Sequence, residues 1–255
     1  MSRIPQLFSM RSEKVIPFLT AGDPHRSHTV KMVLVAEQSG ASMVELGMPF
    51  SDPLADGPII QKSSQIALEN GVTLKWILNL ICEIRNQSEI PIALMGYVNP
   101  IIKFGLNEFL MESKDSGVDG LIIPDLPPEE AGEYLSIAKK NNLSPILLVA
   151  PNTSSERIKK ISELANDLIY CVSILGVTGN NDLNNIELNN YLTRVQNNTI
   201  CPYVVGFGIK NNIDVININK LSHGAVIGSA IIQRIEEAND PVECVHNFVK
   251  DLLNE

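Results

Sequence analysis

Short apolar runs alternate along this chain with longer segments whose apolar positions recur at helical spacing. The short runs are Val15–Leu19, Ser42–Leu46, Ile92–Met95, Gly120–Ile123, Ile146–Val149, Leu168–Val172, Tyr203–Gly206 and Ala225–Ile227. They are rich in Ile, Val and Leu and lack strict polar alternation, which predicts parallel strands covered on both faces. Between them, Thr29 to Gln38 sets Val30, Val33 and Leu34 on one helical face and stops at Ser39-Gly40. Leu74 to Arg85 gives Leu74, Ile77, Leu78 and Ile81 a common face, and Ser154 to Leu164 does the same with Ile158, Ile161 and Leu164. Pro127-Pro128-Glu129-Glu130 predicts a helix start running through Ala138, since proline and acids both favour a first turn. Eight β-then-α units, preceded by an extra helix over Arg3 to Met10, predict a (β/α)8 or TIM barrel. A doubly wound open sheet shares the same repeat. No Pro- or Ser-rich linker divides the chain, so residues 1–255 are expected to form a single domain. The stretch Asn180–Asn198 holds eight asparagines and reads as a solvated region or a mobile loop.

Composition narrows the function. The 44% hydrophobic content supports a sizeable core, and the net charge of −9 argues against a nucleic-acid partner. A small anion stays possible, because backbone amides hold one without lysine. Cys82, Cys171, Cys201 and Cys244 are far apart and form no C-x-x-C pair, which suits reduced thiols in a cytosolic protein. The four histidines show no metal-ligand spacing, so no metal is expected. Neither a signal peptide nor a run long enough to span a membrane is evident.

The candidate chemistry concentrates after the second apolar run, in Glu45-Leu46-Gly47-Met48-Pro49-Phe50-Ser51-Asp52-Pro53-Leu54-Ala55-Asp56-Gly57-Pro58. Prolines 49, 53 and 58 exclude a regular helix or inner strand here. Glu45, at a strand end among Val44, Leu46 and Met48, is either a satisfied carboxylate or a desolvated acid/base with a raised pKa. Asp56 fits an ordinary Asp-Gly turn, or a carboxylate kept ionised by an amide-rich loop to stabilise positive charge. Asp52 fits a solvated loop acid. Asp125 at the end of the fourth strand, Tyr170 in the sixth, and Phe18 and Tyr97 near the ends of the first and third would face the same barrel mouth. Gly176-Val177-Thr178-Gly179, Gly206-Phe207-Gly208 and Gly228-Ser229 follow strands six, seven and eight, where barrels build phosphate sites from backbone amides. Neither a P-loop nor a dinucleotide fingerprint is present, which points to a small phosphate monoester.

These residues resemble the tryptophan synthase alpha chain family. The likeness rests on the Glu45–Pro58 motif, with Leu19-Thr20-Ala21-Gly22-Asp23-Pro24, Gly120-Leu121-Ile122-Ile123-Pro124-Asp125-Leu126-Pro127, Gly176-Val177-Thr178-Gly179, Gly206-Phe207-Gly208-Ile209 and Gly228-Ser229-Ala230 in the family's order. The resemblance implies a cytoplasmic barrel lyase that splits indole-3-glycerol phosphate into indole and glyceraldehyde 3-phosphate. It implies Glu45 as general acid/base, Asp56 as the carboxylate on the indole N–H, and Tyr170 beside the reacting centre. Phe18, Tyr97, Thr178 and Phe207 would line the indole pocket as apolar walls, and Gly179, Gly208, Gly228 and Ser229 would cradle the phosphate. Asp52, Pro53 and Asn99 would meet a beta subunit in an alpha2beta2 complex. That partner would carry pyridoxal phosphate, leaving this chain without a cofactor. Ile174 stands where many bacterial members place an arginine before Gly-Val-Thr-Gly. A purely regulatory subunit and a barrel enzyme for another sugar phosphate are the competing readings.

Overall fold

The structure is a computed structural model and describes residues 2–9, 12–172, 181–206 and 208–254, without the side chains of 181–185. The strands are β1 (Val15–Thr20), β2 (Val44–Gly47), β3 (Ile92–Met95), β4 (Gly120–Ile122), β5 (Ser144–Val149), β6 (Ile169–Val172), β7 (Tyr203–Gly206) and β8 (Ala225–Ile227). The helices are α1 (Ile4–Leu7), α2 (Thr29–Gln38), α3 (Pro58–Glu69), α4 (Leu74–Arg85), α5 (Val98–Phe104), α6 (Leu106–Ser116), α7 (Gly132–Lys140), α8 (Ser155–Ala165), α9 (Asn181–Asn198), α10 (Asn212–Leu221), α11 (Ser229–Glu237) and α12 (Pro241–Leu253).

All strand pairs are parallel, each strand lies beside its sequence neighbour, and β1 pairs with β8. The sheet is therefore a closed barrel, and the open doubly wound alternative is excluded. Strand residues are buried on both faces, which explains their continuous apolar character. The helices pack around the outside through faces such as Ile77, Leu78, Ile81 and Ile84 of α4. Their starts carry local signals: Thr73 accepts from the Trp76 amide at 3.2 Å, and Asp240 accepts from those of Val242 and Glu243 at 2.9 and 3.1 Å. Gly117, at φ 94°, ends α6 in the left-handed conformation that glycine adopts without penalty.

Several expectations need correction. The N-terminal helix covers Ile4–Leu7 only, and its Ile4 is fully buried against the lower end of β4. A Cβ on Gly120 would lie 2.7 Å from Ile4 Cδ1, so the absent side chain makes room for α1. Pro127 does not open α7. The Glu130 and Ala131 amides donate to the carbonyls of Pro127 and Pro128 three residues back, and four-residue bonding starts with Leu135 to Ala131. Pro58 begins a helix instead of preventing one, because the first helical position needs no amide donor. The asparagine-rich stretch is helical from Asn181, and Tyr191, Leu192 and Val195 bury a face that spacing of one and four residues puts on one side. The Tyr191 hydroxyl also donates to the Val149 carbonyl at 2.8 Å, tying α9 to β5.

The barrel's N-terminal end is closed by a polar cluster. Asp119, one residue before β4, is fully buried. Its carboxylate accepts from the Arg3 amide at 2.9 Å, Arg3 Nη1 at 3.0 Å, Arg85 Nη2 at 2.8 Å and the Ile92 amide at 2.9 Å. That joins the N-terminal segment, α4, β3 and β4 at one point. No helix among the described residues is long and apolar enough to cross a membrane.

Candidate active site

At the opposite end, β2 carries Glu45 into the barrel two residues before the strand stops, in register with Phe18 of β1 and Ala93 of β3. The side chain is 1% exposed, and its Oε2 has no hydrogen-bond partner among the described residues. Burial, reinforced by the nearby negative charge of Asp56, pushes its pKa up to about 8. The desolvated reading of Glu45 thus prevails over the satisfied one.

Asp56 belongs to the loop between β2 and α3, which is folded by turns from the Leu54 amide to the Asp52 carbonyl and from the Asp56 amide to the Pro53 carbonyl. Its Oδ2 accepts a 2.8 Å hydrogen bond from the Tyr97 hydroxyl. The same hydroxyl oxygen accepts from the Ala55 amide at 3.0 Å. Burial raises the Asp56 pKa and the Tyr97 bond works against that rise. Asp56 is therefore half-buried and held by a phenol rather than by the loop amides expected. Tyr97 likewise differs from the apolar wall expected of it: its ring stacks obliquely on Phe50 at 5.5 Å, and its hydroxyl orients the Asp56 carboxylate. A buried tyrosine hydroxyl normally finds a partner, and that rule was the available signal.

Glu45 and Asp56 line one cavity of about 220 Å³ with Phe18, Tyr170, Gly208, Gly228 and Ser229. Tyr170 is buried, and burial drives its pKa far above the ordinary phenol value. A Cβ on Gly206 would fall 1.9 Å from the Tyr170 hydroxyl oxygen, so β7 needs glycine there for Tyr170 to occupy its place. The equivalent atom on Gly47 would fall 2.5 Å from Phe18 Cζ. Two close-packed aromatic rings thus fit over backbone that has no side chain.

Gly208, Gly228 and Ser229 bring backbone to the lining of this cavity. Gly208 has φ 81°, and Gly228 precedes the first residue of α11, Ser229. No side chain caps α11, and the first amides of an α-helix have no partner within it. This end of the cavity therefore offers N–H groups and the positive end of a helix dipole. Thr178, Gly179 and Phe207, and Ile174 with them, lie outside the described residues.

Asp52 and Asn99 are exposed and Pro53 is half-buried, beside Leu54, which is 83% exposed. They stand on the loop that carries Asp56 and on the helix that follows Tyr97. Sequence reasoning missed Pro58, Ile59, Ile60, Met95 and Val226, which complete the lining together with Gly57. The first three form the first turn of α3, of which only Pro58 fell in the segment read as loop. No group of three or more potential metal-binding side chains occurs among the described residues.

Comparison with known proteins converges on one family. The family model described as tryptophan synthase alpha chain matches residues 5–253. The tryptophan synthase alpha chain of Petrotoga mobilis is 45% identical over 240 residues, covering 94% of this chain and 93% of that relative. The one from Caldanaerobacter subterraneus is 45% identical, with 99% and 96% covered. Among solved structures, the tryptophan synthase alpha subunit of Legionella pneumophila has a TM-score of 0.91 at 34% identity, covering 100% of this chain and 98% of that one. A chain of the tryptophan synthase complex from Pyrococcus furiosus has a TM-score of 0.88 at 36% identity, with 96% and 99% covered.

Proposed function

The chain belongs to the tryptophan synthase alpha chain family, and from that premise we propose that Glu45 and Asp56 carry the family's reaction here. The protein is a lyase of tryptophan biosynthesis that cleaves indole-3-glycerol phosphate to indole and glyceraldehyde 3-phosphate by a retro-aldol step. An indole ring carbon is a poor leaving group until C3 is protonated. Glu45, carboxylic acid at neutral pH because its pKa is raised to about 8, gives its proton to C3. The ring becomes an indolenine cation with positive charge at nitrogen. Asp56 accepts a hydrogen bond from the ring N–H and stabilises that charge. The Glu45 carboxylate then removes the proton of the adjacent glycerol hydroxyl. The bond from C3 to the side chain breaks, its electron pair returns to the ring and neutralises the nitrogen, and the carbinol carbon leaves as the aldehyde. Proton and charge balance, and Glu45 ends protonated.

The observation that carries this reading is the unpartnered Oε2 of Glu45, buried in the same cavity as Asp56 and the glycine-lined end. Phe18 would flank the indole ring and Tyr170 the reacting carbon. Gly208, Gly228 and Ser229 would take the phosphate through N–H groups, the α11 dipole and the Ser229 hydroxyl. Gly179 would join them from the segment after the sixth strand, and Thr178 and Phe207 would line the indole pocket. Asp52, Pro53 and Asn99 are proposed to meet a beta subunit in an alpha2beta2 assembly. That partner would use pyridoxal phosphate to join indole to serine, so no step in this chain is routed through a cofactor. The reading includes a cytosolic setting, to which the free thiols of Cys82, Cys171, Cys201 and Cys244 are suited, and a single barrel domain over residues 1–255.

The test is indole release from indole-3-glycerol phosphate, with and without the beta chain. Glu45→Gln should lower kcat by about 10²–10⁴-fold while phosphate affinity stays within about two-fold of the parent. A parental cleavage rate in that variant would remove Glu45 from the chemistry.

A further inference from the structure

Asp125 lies outside the roles assigned so far, although the sequence placed it at the barrel mouth. β4 ends at Ile122, and a turn closed by the Leu126 amide on the Ile123 carbonyl carries Asp125 beyond it. From there the carboxylate accepts from one donor with both oxygens: the Val98 amide lies 3.0 Å from Oδ1 and 3.3 Å from Oδ2. That N–H belongs to the peptide unit that joins Tyr97 to Val98. On the other side of Tyr97, the Gly96 amide donates to the Ile122 carbonyl at 3.0 Å. Tyr97 is thus bracketed by two backbone anchors, both supplied by β4 and the residues just after it. Its own hydroxyl reaches the opposite way, to the Ala55 amide and the Asp56 carboxylate.

We propose that Asp125 is a positioning residue for the cleavage: it fixes the peptide after Tyr97, and through the Tyr97 hydroxyl it fixes the carboxylate of Asp56 against the indole nitrogen. A peptide held on both flanks sets the direction of the Cα–Cβ bond between them, and a hydroxyl at the end of a tyrosine magnifies any tilt there. Burial, the hydrogen bond to Asp56 and, least of all, the charge of Asp125 raise the Tyr97 phenol pKa. The same anchor sets the start of α5, whose next residue is Asn99. Asp125 therefore connects the exposed face of α5 to the stabiliser of the cation without touching substrate. This inference rests on the lyase reading of Asp56.

The test is a double-mutant cycle on indole-3-glycerol phosphate cleavage, using the full chain in complex with the beta subunit. Asp125→Ala should lower kcat about five-fold, the scale of one lost hydrogen bond, with KM within about two-fold. Asp125→Asn keeps an acceptor oxygen and should recover kcat to within about two-fold of the parent. In a Tyr97→Phe background, where the link to Asp56 is already cut, Asp125→Ala should change kcat by less than about two-fold. Equal losses in both backgrounds overturn the proposal, as does an unchanged kcat in Asp125→Ala alone. Circular dichroism melts accompany each variant, and a kcat deficit that Asp125→Asn fails to recover also counts against it. Failure of the lyase roles is distinguishable, because Glu45→Gln would then retain the parental rate.

Discussion

Asp119 and Glu45 are buried carboxylates at opposite ends of one barrel, 0% and 1% exposed. Asp119 accepts four hydrogen bonds from Arg3, Arg85 and Ile92, two of them from guanidinium groups. Glu45 leaves Oε2 without a partner among the described residues and lies near another acid, Asp56. Burial alone therefore says little about what a carboxylate does. A carboxylate whose acceptor sites are all met knits elements together. One left unmet is destabilised as an anion and favours its protonated form. The two ends divide as barrels generally do, with stability at the N-terminal face and chemistry at the C-terminal face.

The widest separation between the two should come from Glu45→Gln. Turnover should fall by about 10²–10⁴-fold, and yet the folded state should gain stability. The sign follows from the raised pKa. Below the ordinary value of 4.5 both folded and unfolded chains are protonated, so ionisation contributes nothing. Between 4.5 and about 8 the folded chain keeps a proton that the unfolded chain releases, so parental stability falls as pH rises. Above about 8 the deficit is constant. The stability advantage of Glu45→Gln should therefore grow across that window and then level off. Denaturant melts at a series of pH values check it, and a pH-independent difference would count against the raised pKa.

Asp119→Ala should do the reverse. Removing one partner of a buried ion pair leaves Arg85 uncompensated, with an expected loss of about 3–5 kcal/mol in unfolding free energy. The kcat of the folded protein should stay close to parental. A large kcat defect with normal stability would erase the contrast.

Asp56→Asn addresses the partner of Glu45 across the cavity. Loss of the negative charge should slow cleavage by about 10²-fold through weaker cation stabilisation. It should also draw the Glu45 pKa down, since Asp56 is one of the two causes of its elevation. A pH–rate profile reads both effects, and an alkaline limb left in place would show that burial alone sets the Glu45 value.

The smallest effect is expected for Tyr97→Phe. It removes one hydrogen bond to Asp56 and should lower kcat by about 3–10-fold, with little change in stability at the Asp119 end. A loss as large as that of Asp56→Asn would mean that Tyr97 acts directly on substrate.

The strands show how much was readable from local pattern. Ile92–Met95, Tyr203–Gly206 and Ala225–Ile227 match to the residue, because short apolar runs between turn residues have few other solutions. The start of α7 was misplaced because prolines permit both a first helical turn and the tighter turns that occur there. The helix over Asn181–Asn198 was hidden by composition, since asparagine masks the few apolar residues that bury. At the site, Glu45 and Asp56 stood out by position after an apolar run, and Gly208, Gly228 and Ser229 by glycine use. That a buried Tyr97 hydroxyl needs a partner follows from its type, but that the partner is Asp56 does not, because the two are 41 residues apart in the chain.

By itself the sequence determined the β/α alternation, the acids after the second strand and the glycines after the seventh and eighth, since each depends on residue type and short-range spacing. Tertiary structure decided that the sheet closes, that Gly206 and Gly47 make way for Tyr170 and Phe18, and that Asp119 is saturated while Glu45 is not. The physical reason is that charge state and hydrogen-bond satisfaction depend on what distant segments bring into contact. A carboxylate becomes a structural tie or a proton donor only when the barrel has closed around it.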